Sequence, residues 1–519
     1  MIKIDGVVLP IGTDFDNLKD ELVKTVEPAD SIVSVRLYRK SVDARGRGEP
    51  HFCCSVLVEV KDEAEFIKRN KNAKVFNYSP YTFKKAINIL KYRPVVVGFG
   101  PAGMFAALTL SRAGLNPIVI ERGADVDTRT ADVNSFFSGG LLNKNSNIQF
   151  GEGGAGTFSD GKLNTGIKDM RVRTVLETFV HFGADNDILY EAKPHIGTDV
   201  LRRVVKNIRK EIISLGGEVR FNTCLENIII QNGKVKSIIA SGKEILTDNL
   251  FLCIGHSARD TFSMIHNSGF NMCRKPFALG VRIEHLQSDI NRALYGKYAE
   301  NPNLGAADYK LAVHLKSGRG VYTFCMCPGG FVVNASSEPD GIVTNGMSYK
   351  SRAGKNANSA LLVGVTPEDI PGRDVLAGID FQKQIENRAY LSCGGRVPVC
   401  SVGYFLGKTE NEIGRVKPTV KPGYELFDVG SLFPRFIADS IKSGIIEMDR
   451  KISGFADWEA VISAPETRSS SPVRILRDDS MQALGIKGIF PCGEGAGYAG
   501  GIVSAAVDGI KAAEKIINT

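Results

Sequence analysis

The segment from Pro491 to Ile516, PCGEGAGYAGGIVSAAVDGIKAAEKI, places a single acid, Glu494, among five glycines and directly before an apolar helical pattern. Glycines let a backbone approach a ligand closely, and a helix N-terminus offers free N–H groups and the positive end of a dipole. A carboxylate adds an acceptor for hydroxyl groups. Together these features indicate a site for a large, hydroxylated and partly anionic ligand; a glycine-rich turn that caps a core helix is the alternative.

A second glycine pattern, GFGPAG from Gly98 to Gly103, follows a valine-rich strand pattern and opens a helical one. In a GxGxxG motif the glycines allow a tight turn, a close approach of backbone to a pyrophosphate, and close packing of helix on strand. The next predicted strand ends in Glu121, eighteen residues after Gly103, where an acid can accept hydrogen bonds from a ribose. The sequence therefore predicts a dinucleotide-binding site.

Two more features favour FAD over NAD, because FAD extends beyond the first βαβ unit. Glu494 is placed to accept from a ribityl hydroxyl, and the helix that begins near Gly501 would direct its N–H groups at the electron-poor edge of the flavin. A third glycine-rich stretch, FGEGGAGTFSDGKLNT at 150–165, would bring amides against pyrophosphate or flavin, with Lys162 offsetting negative charge. A surface loop is the alternative for that stretch. FAD is the predicted cofactor.

The residues predicted to bind FAD come from these three stretches and from strand ends between them. Leu225 lies on a strand expected to run along the adenine, and Gly255 ends a strand expected near the adenosine ribose. The full set is Gly98, Gly100, Pro101, Ala102, Gly103, Glu121, Arg122, Arg129, Gly153, Gly154, Gly156, Lys162, Leu225, Gly255, Gly493, Glu494, Gly501 and Ile502.

Catalytic residues are harder to assign from the sequence. Polar residues that could face a flavin or a substrate occur on later strands and near the last glycine motif, and each could equally be structural. The candidates are Arg282, His285, Arg468 and Arg474, with Glu284, Cys325 and Cys327 as further possible substrate contacts. No metal site is expected, because the seven histidines are spread apart and no paired CxxC motifs occur.

These residues require several structural units, and 519 residues are too many for one core. Residues 1–90 alternate strand and helix patterns in the order βαββαβ, which is typical of a small ferredoxin-like α/β domain. Residues 91–271 carry the first part of an FAD-binding domain, and 466–519 complete it. The strand-rich stretch 272–465 is expected to be an inserted, largely antiparallel substrate or cap domain. The predicted fold class is α/β, Rossmann-like, with α+β inserts.

The composition limits the expected cellular location and the expected binding partners of the protein. The net charge of +8, from 65 basic and 57 acidic residues, is too small for this length to indicate nucleic-acid binding. No signal peptide or membrane-spanning run is evident, and scattered cysteines are typical of reduced thiols. A cytoplasmic protein that does not bind membranes is predicted. The alternative is a partner- or RNA-docking surface on the N-terminal domain, formed by Arg36, Arg39, Lys40, Arg45 and Arg47.

Several motifs together resemble a known bacterial family of uncharacterised FAD-dependent dehydrogenases. They are NIQFGEGGAGTFSDGKLNT, CIGHSARDTF, FALGVRIEH, YTFCMCPGGFVV, NGMSYKSR, ETRSSSPVRILR and PCGEGAGYAGGI, and they span nearly the whole chain. The resemblance implies the architecture of the glutathione-reductase-like FAD superfamily, flavin binding and redox activity. That superfamily usually has Asp in the last motif where this chain has Glu494.

Two absences from the sequence narrow the reaction. No second strand–GxGxxG–helix pattern follows residue 250, and no redox cysteine pair follows the first βαβ unit, so a disulfide reductase with its own NAD(P)H domain is not expected. The prediction is an FAD-dependent oxidoreductase that transfers hydride between FAD and an unidentified small molecule. NAD(P)H or another donor could serve without a dedicated domain. A flavin-loaded binding or sensing protein is the alternative function.

Overall fold

The computed structural model describes residues 1–45 and 48–518; Arg47 lies outside the described residues. The first elements are β1 (Ile2–Pro10), α1 (Leu18–Leu22), β2 (Ile32–Asp43), β3 (His51–Val60), α2 (Glu63–Arg69) and β4 (Ala73–Val75). Their strands form an antiparallel sheet in the order β2-β3-β1-β4. Asp62 caps α2 by accepting from the N–H of Glu65, and Phe66 of that helix is fully buried against the sheet.

The middle of the chain alternates short strands with longer helices. These elements are β5 (Val95–Val97), α3 (Pro101–Ala113), β6 (Ile118–Ile120), α4 (Val126–Phe137), α5 (Arg171–His181), α6 (Thr198–Ser214), β7 (Glu218–Arg220), β8 (Leu225–Gln231), β9 (Lys234–Ala240), β10 (Lys243–Leu246), β11 (Leu250–Leu252) and α7 (Arg259–Asn267). Strands β8 to β10 form a separate antiparallel meander.

The rest of the chain is strand-rich and then returns to a helix. Its elements are β12 (Met272–Arg274), β13 (Phe277–Leu286), α8 (Gln287–Tyr295), β14 (Ala312–His314), β15 (Gly320–Cys327), β16 (Phe331–Asn334), β17 (Thr344–Met347), β18 (Asn356–Val365), α9 (Ala377–Ser392), β19 (Val397–Ser401), α10 (Val402–Leu406), β20 (Tyr424–Leu426), α11 (Arg435–Asp449), β21 (Val461–Glu466), β22 (Val473–Ile475), β23 (Ile489–Pro491) and α12 (Ile502–Ile517).

A five-stranded parallel sheet joins distant parts of the chain in the order β23-β11-β5-β6-β7. Its strands β5, β6 and β11 read VVV, IVI and LFL and are buried throughout, as is typical of parallel strands covered on both faces. Helices α3 and α12 pack closely on one face, since a Cβ on Gly509 would lie 2.1 Å from the carbonyl oxygen of Ala102. The C-terminal residues therefore complete the sheet that the first glycine motif begins.

A seven-stranded, mostly antiparallel sheet forms a second large unit in the order β14-β15-β18-β13-β21-β19-β20. Only its edge pair β19–β20 is parallel. Strands β12 and β22 pair in a short ribbon where the chain enters and leaves this unit. The protein is thus a mixed α/β fold. No helix in the described part of the chain is long and apolar enough to cross a membrane.

Candidate functional site

The turn between β5 and α3 has the geometry that its glycines require. Gly98 has φ +94°, and a Cβ there would lie 2.6 Å from the carbonyl oxygen of Cys253. A Cβ on Gly103 would lie 1.9 Å from the carbonyl oxygen of Gly98, so this glycine lets α3 pack against the strand. The first amides of α3 face the turn without partners inside the helix. The turn is therefore shaped for close approach by an anionic group.

Glu121 lies at the carboxyl end of β6 and holds two turns together. Its Oε2 accepts from the N–H of Phe99 at 2.8 Å, and its Oε1 accepts from Gly123 and Gly151, both at 3.0 Å. A carboxylate offers about four acceptor positions. One position on Oε2 is left for a ribose hydroxyl, whereas the sequence suggested that the ribose would be the main partner of this carboxylate.

The 150–156 turn packs directly on the first glycine turn. A Cβ on Gly154 would lie 2.9 Å from the Cα of Gly100, and the N–H of Gly153 donates to the carbonyl of Phe99 at 2.8 Å. Arg129 of α4 is fully buried behind this turn. Its guanidinium donates to the backbone carbonyls of Asn147, Ile148, Gly151, Glu152 and Gly154. The expectation that Arg129 contacts the cofactor is thus corrected: it is a structural support for the turn.

A cavity of about 640 Å³ runs from the ends of the parallel strands to the seven-stranded sheet. Its size lies in the range of about 300–1,000 Å³ found for small-molecule and cofactor sites. The predicted cofactor residues that line it are Gly98, Gly100, Pro101, Ala102, Glu121, Arg122, Gly154, Gly156, Lys162, Leu225, Gly255, Glu494, Gly501 and Ile502.

Three other predicted cofactor residues, all glycines, do not line the cavity but shape its wall. Gly103 allows the helix packing described above, and a Cβ on Gly153 would lie 2.0 Å from the Oγ1 of Thr157. The N–H of Gly493 donates to Oδ2 of Asp508 at 2.8 Å, which ties the last motif to α12. These glycines are needed for backbone conformation and packing, so direct contact with a cofactor is not what the structure assigns to them.

Glu494 lies at the other end of the cavity, beside the N-terminus of α12. Its Oε1 lies 3.6 Å from Nε2 of His256. Burial raises the pKa of Glu494 to about 7, with Cys325 adding to the rise and Lys275 opposing it. Burial, followed by the charges of Arg468 and Arg259, lowers the pKa of His256 to about 3. A neutral histidine therefore faces a carboxyl group that exchanges its proton near neutral pH.

Lys162 is held at the same end of the cavity by a fully buried acid, Asp160. The Nζ of Lys162 lies 3.5 Å from Oδ2 of Asp160, which also accepts from Arg352 at 3.3 Å. Ser348 donates to the other carboxylate oxygen. Burial opposes ionisation of Asp160, but the neighbouring cations, Lys162 first, hold its pKa well below the ordinary value. The lysine is thus a fixed positive charge in the cavity wall.

The four catalytic candidates do not share one environment. Arg468 lines the cavity, whereas Arg282, His285 and Arg474 do not. Arg282 is fully buried and forms a bidentate pair with Glu466 at 2.6 and 2.7 Å. The ring of His285 is buried with Nε2 2.9 Å from the carbonyl of Phe455, and burial lowers its pKa. These observations correct the expectation of direct catalytic contact for Arg282 and His285.

Two further candidates also have structural roles. The Nε of Arg474 donates to the carbonyl of Gly497 at 3.2 Å, so Arg474 supports the last glycine motif rather than reaching the cavity. Glu284 is buried and accepts from Thr419 and Asn356. Its pKa is raised by burial. Of the two cysteines, only Cys325 lines the cavity.

Sequence reasoning missed the polar residues that close the cavity on the side of the seven-stranded sheet. They come from segments far apart in the chain, and no motif assigned them a role in the site: Gln149, Lys193, Ser257, Asp308, Lys310, Thr323, Asn345, Glu466 and Ser469. His256 was also missed, although it directly follows β11. Its place at the carboxyl end of a parallel strand is where such sheets bind ligands, and that signal could have identified it.

The residues described fit an extended dinucleotide. Two glycine turns leave a cradle that any Cβ would fill, an acid stands at the end of β6, and Lys162, Glu494 and the start of α12 surround the far end. The fold and the site define the class of FAD-binding proteins. A family model described as FAD binding domain matches residues 93–156. Another, described as FAD-dependent protein, C-terminal domain-like, matches 276–469, and a domain of unknown function matches 1–59.

A relative covers the whole chain. An uncharacterized protein of Clostridium beijerinckii is 46% identical over an alignment of 525 positions, which covers 99% of this chain and 98% of the relative. The chain therefore belongs to this family of uncharacterised FAD-dependent proteins, as its motifs suggested. FAD is its cofactor, and its broad class is that of flavoproteins and FAD-dependent oxidoreductases.

Solved structures are similar only at a distance. A geranylgeranyl bacteriochlorophyll reductase-like protein of Thermoplasma acidophilum is 12% identical with a TM-score of 0.38, covering 83% of this chain and 79% of its own. Glycine oxidase of Bacillus cereus is 10% identical with a TM-score of 0.35, covering 82% of this chain and 97% of its own.

Proposed function

We propose that this protein transfers hydride between bound FAD and a small polar molecule. The observation that carries the proposal is the continuous cavity that joins Glu121 to Glu494 and then opens on polar residues of the seven-stranded sheet. The adenosine would lie near Glu121 and Leu225, the pyrophosphate at the two glycine turns, and the flavin near Lys162 and α12. Bound FAD supplies two-electron redox chemistry, and the chain supplies position and charge.

The substrate would occupy the end of the cavity beyond Lys162. There the side chain of Lys193 pairs with Asp308 at 2.6 Å, and Arg468 is held by Glu386 and Ser337. The buried guanidinium of Arg468 would orient a small polar molecule without rearrangement, and the more exposed Lys193 and Asp308 would offer further polar contacts. The proton that accompanies hydride transfer could be held at the carboxyl group of Glu494, whose pKa lies near neutrality. The electron donor, NAD(P)H or another, would enter the same cavity.

The proposed function implies a division of the chain into domains. Residues 1–90 would be a ferredoxin-like domain, 91–271 and 466–519 the two parts of the FAD-binding domain, and 272–465 the inserted substrate domain. Its support is the strand order β2-β3-β1-β4 in the first sheet and the ribbon of β12 with β22 at the junction. In this organisation the FAD-binding and substrate units would line the cavity together, and the described part of residues 1–90 contributes none of its lining residues.

The alternative function, a binding or sensing protein whose N-terminal domain docks a protein or RNA partner, is less well supported by the environments of the basic side chains in that domain. Lys40 pairs with Glu191 at 2.7 Å, and its N–H donates to the carbonyl of Tyr190, so it lies at an internal contact. Arg45 pairs with Asp43 at 2.6 Å. Arg36 and Arg39 are exposed. Among the described residues of this set, the exposed basic surface consists of these two arginines and Arg45, which is paired with Asp43, and such a surface is small for nucleic-acid binding.

The purified protein is expected to be yellow, with about one FAD per chain. The cofactor released by heat should be identified as FAD by its mass and quantified against protein concentration. A screen of small polar metabolites for anaerobic bleaching of the flavin band then tests hydride transfer. NAD, FMN or no cofactor in the released fraction would contradict the proposal.

Glu494→Gln should make the flavin easier to reduce, but only above neutral pH. Because the pKa of Glu494 is raised to about 7, the carboxyl group is mostly neutral at pH 6 and ionised at pH 8. Removing that charge beside a reduced flavin should raise the midpoint potential at pH 8 by roughly 30 mV, equivalent to about 1.4 kcal/mol for two electrons. The shift should nearly vanish at pH 6.

Redox titration against a reference dye at both pH values measures this effect. The groups that face Glu494 are His256, Lys275 and Cys325, and all three are retained in the variant. Glu447→Gln is the matched control, because Glu447 is a partly exposed acid on α11 that pairs with Arg450 and does not line the cavity. Equal potentials for wild type and Glu494→Gln at pH 8, with full FAD occupancy, would show that Glu494 does not face the flavin.

A further inference from the structure

Cys325 and Cys327 lie at an irregularity in β15 that no role described above explains. The strand pairs regularly with β18 up to Phe324 opposite Ala360, and pairing resumes only at Cys327 opposite Asn358. Cys325 has φ +43°, a left-handed conformation that is uncommon for a residue with a side chain. Such strain tends to be kept where function requires it. The bulge brings the Cys325 side chain to the cavity wall.

The two thiols differ in exposure. Cys325 is half-buried and lines the cavity, whereas Cys327 is fully buried behind it. The Sγ of Cys327 donates to the carbonyl oxygen of Cys325 at 3.3 Å. The two thiols are also close enough to form a hydrogen bond with each other, as two cysteines that are to form a disulfide must be. One thiol is thus reachable from the cavity, and the second is poised to pair with it.

Two fixed cations face this pair. Arg282 donates from Nη1 to the carbonyl of Cys325 at 3.3 Å, while Glu466 and Asn358 hold the rest of its guanidinium. Lys162 stands on the cavity side. A hydrogen bond from Cys327 lowers the pKa of the Cys325 thiol against the effect of burial, and Lys162 and Arg282 lower it further. The pKa of Cys327 is raised by the same hydrogen bond and by burial. Of the two thiols, Cys325 is therefore the one that ionises more readily.

We propose that Cys325 and Cys327 form a redox-active dithiol that exchanges two electrons with the FAD bound in this cavity. The inference rests on the proposed function, because Lys162 and Glu494, which are expected beside the flavin, are also the neighbours of Cys325. It gives the protein a second two-electron store within reach of a small thiol or disulfide substrate.

The exchange balances within the site. In the oxidising direction the Cys325 thiolate and the Cys327 thiol form one S–S bond, the Cys327 proton is released, and two electrons pass to oxidised FAD. In the reverse direction two electrons from reduced FAD break that S–S bond, one sulfur remains as thiolate on Cys325, and Cys327 takes up a proton. No further oxidant or reductant is required for either direction.

The test is an electron count on the intact FAD-loaded protein. The protein is treated with diamide, freed of reagent, and titrated anaerobically with dithionite. Wild type should take up two more electrons per chain than either Cys325→Ser or Cys327→Ser. Cys393→Ser is the matched control, since Cys393 is buried in the same unit and does not line the cavity. It should match wild type.

A second readout does not depend on the variants. Diamide-treated wild type is quenched with N-ethylmaleimide in urea, which exposes the buried thiol of Cys327, before and after flavin reduction, and the peptide that contains residues 325–327 is weighed. The proposal expects an unmodified disulfide before reduction and two maleimide adducts after it. Equal electron counts in wild type and the serine variants, or adducts on both thiols before reduction, would overturn it while FAD content confirms that the cofactor site is intact. Absence of FAD would instead contradict the proposed function itself.

Discussion

Glu121→Ala is expected to give a protein that loses FAD during purification. The carboxylate leaves room for one charged hydrogen bond to the ribose, worth about 1.5–3 kcal/mol, or roughly a tenfold to hundredfold change in affinity. The substitution also orphans the N–H groups of Phe99, Gly123 and Gly151, which the carboxylate now accepts at 2.8–3.0 Å. Each unsatisfied buried amide costs about 1–3 kcal/mol. Both glycine turns should therefore loosen as the ribose contact is lost.

Equilibrium dialysis of FAD and urea unfolding measure the two parts of this effect separately. Asp125→Ala is the control, because Asp125 also accepts from backbone amides nearby but caps α4 and does not line the cavity. It should cost about 1 kcal/mol of stability and leave FAD binding unchanged. If Glu121→Ala keeps full FAD occupancy after dialysis, Glu121 is neither a ribose ligand nor essential to the turns.

Local patterns were sufficient for the elements that build the nucleotide end of the site. The valine-rich run before Gly98 is β5, and the helical pattern that the GFGPAG motif opens is α3, Pro101–Ala113. The residues of such segments are sufficient to indicate their structure. A buried parallel strand is continuously apolar, and a GxGxxG motif requires a strand, a turn and a helix in that order. Their prediction needs no knowledge of distant contacts.

Local sequence patterns could not predict the surroundings of the residues at the end of the cavity proposed for the substrate. On β13 Arg282 and Glu284 alternate with apolar residues and His285 follows them, a pattern that does not reveal that both faces of this strand are covered. Their burial depends on β18 and β21, which pair with β13 from positions far along the chain. The role of Arg129 could not be predicted from local sequence either. Its carbonyl partners lie on a loop whose path is set by packing against the first glycine turn.

Glu386 is a buried acid that no sequence motif singles out, yet it organises the charges behind the end of the cavity proposed for the substrate. It accepts from Arg259 and from Arg468, each through two nitrogens, and from the hydroxyl of Thr467. Burial alone would raise its pKa, but the charges of Arg468 and Arg259 outweigh burial and lower the pKa to about 2. Arg468 in turn lines the cavity beside His256.

Glu386→Gln should therefore destabilise the protein by about 3–5 kcal/mol at pH 7, because it leaves two buried guanidinium groups without their shared anion. A folded-state pKa of about 2, below the ordinary value of 4.5, means that the ionised carboxylate stabilises the fold above pH 4.5. That contribution is lost as pH falls towards 2, so the gap between wild type and variant should narrow over this range. Urea unfolding at pH 7 and at the lowest pH where both proteins remain folded measures it.

Comparison with Glu338→Gln separates the effect of burial of the acid on stability from the effect of its contact with the arginines. Glu338 contacts the same two arginines, at 2.6 Å to Arg259 and 3.0 Å to Arg468, but its side chain is 30% exposed whereas that of Glu386 is 1% exposed. Exposed ion pairs contribute only about 0–1 kcal/mol. If both variants lose the same stability, contact with the arginines matters and burial does not. A large decrease in the free energy of unfolding for Glu386→Gln alone would show that the stability is lost because two buried guanidinium groups beside the cavity have no anion.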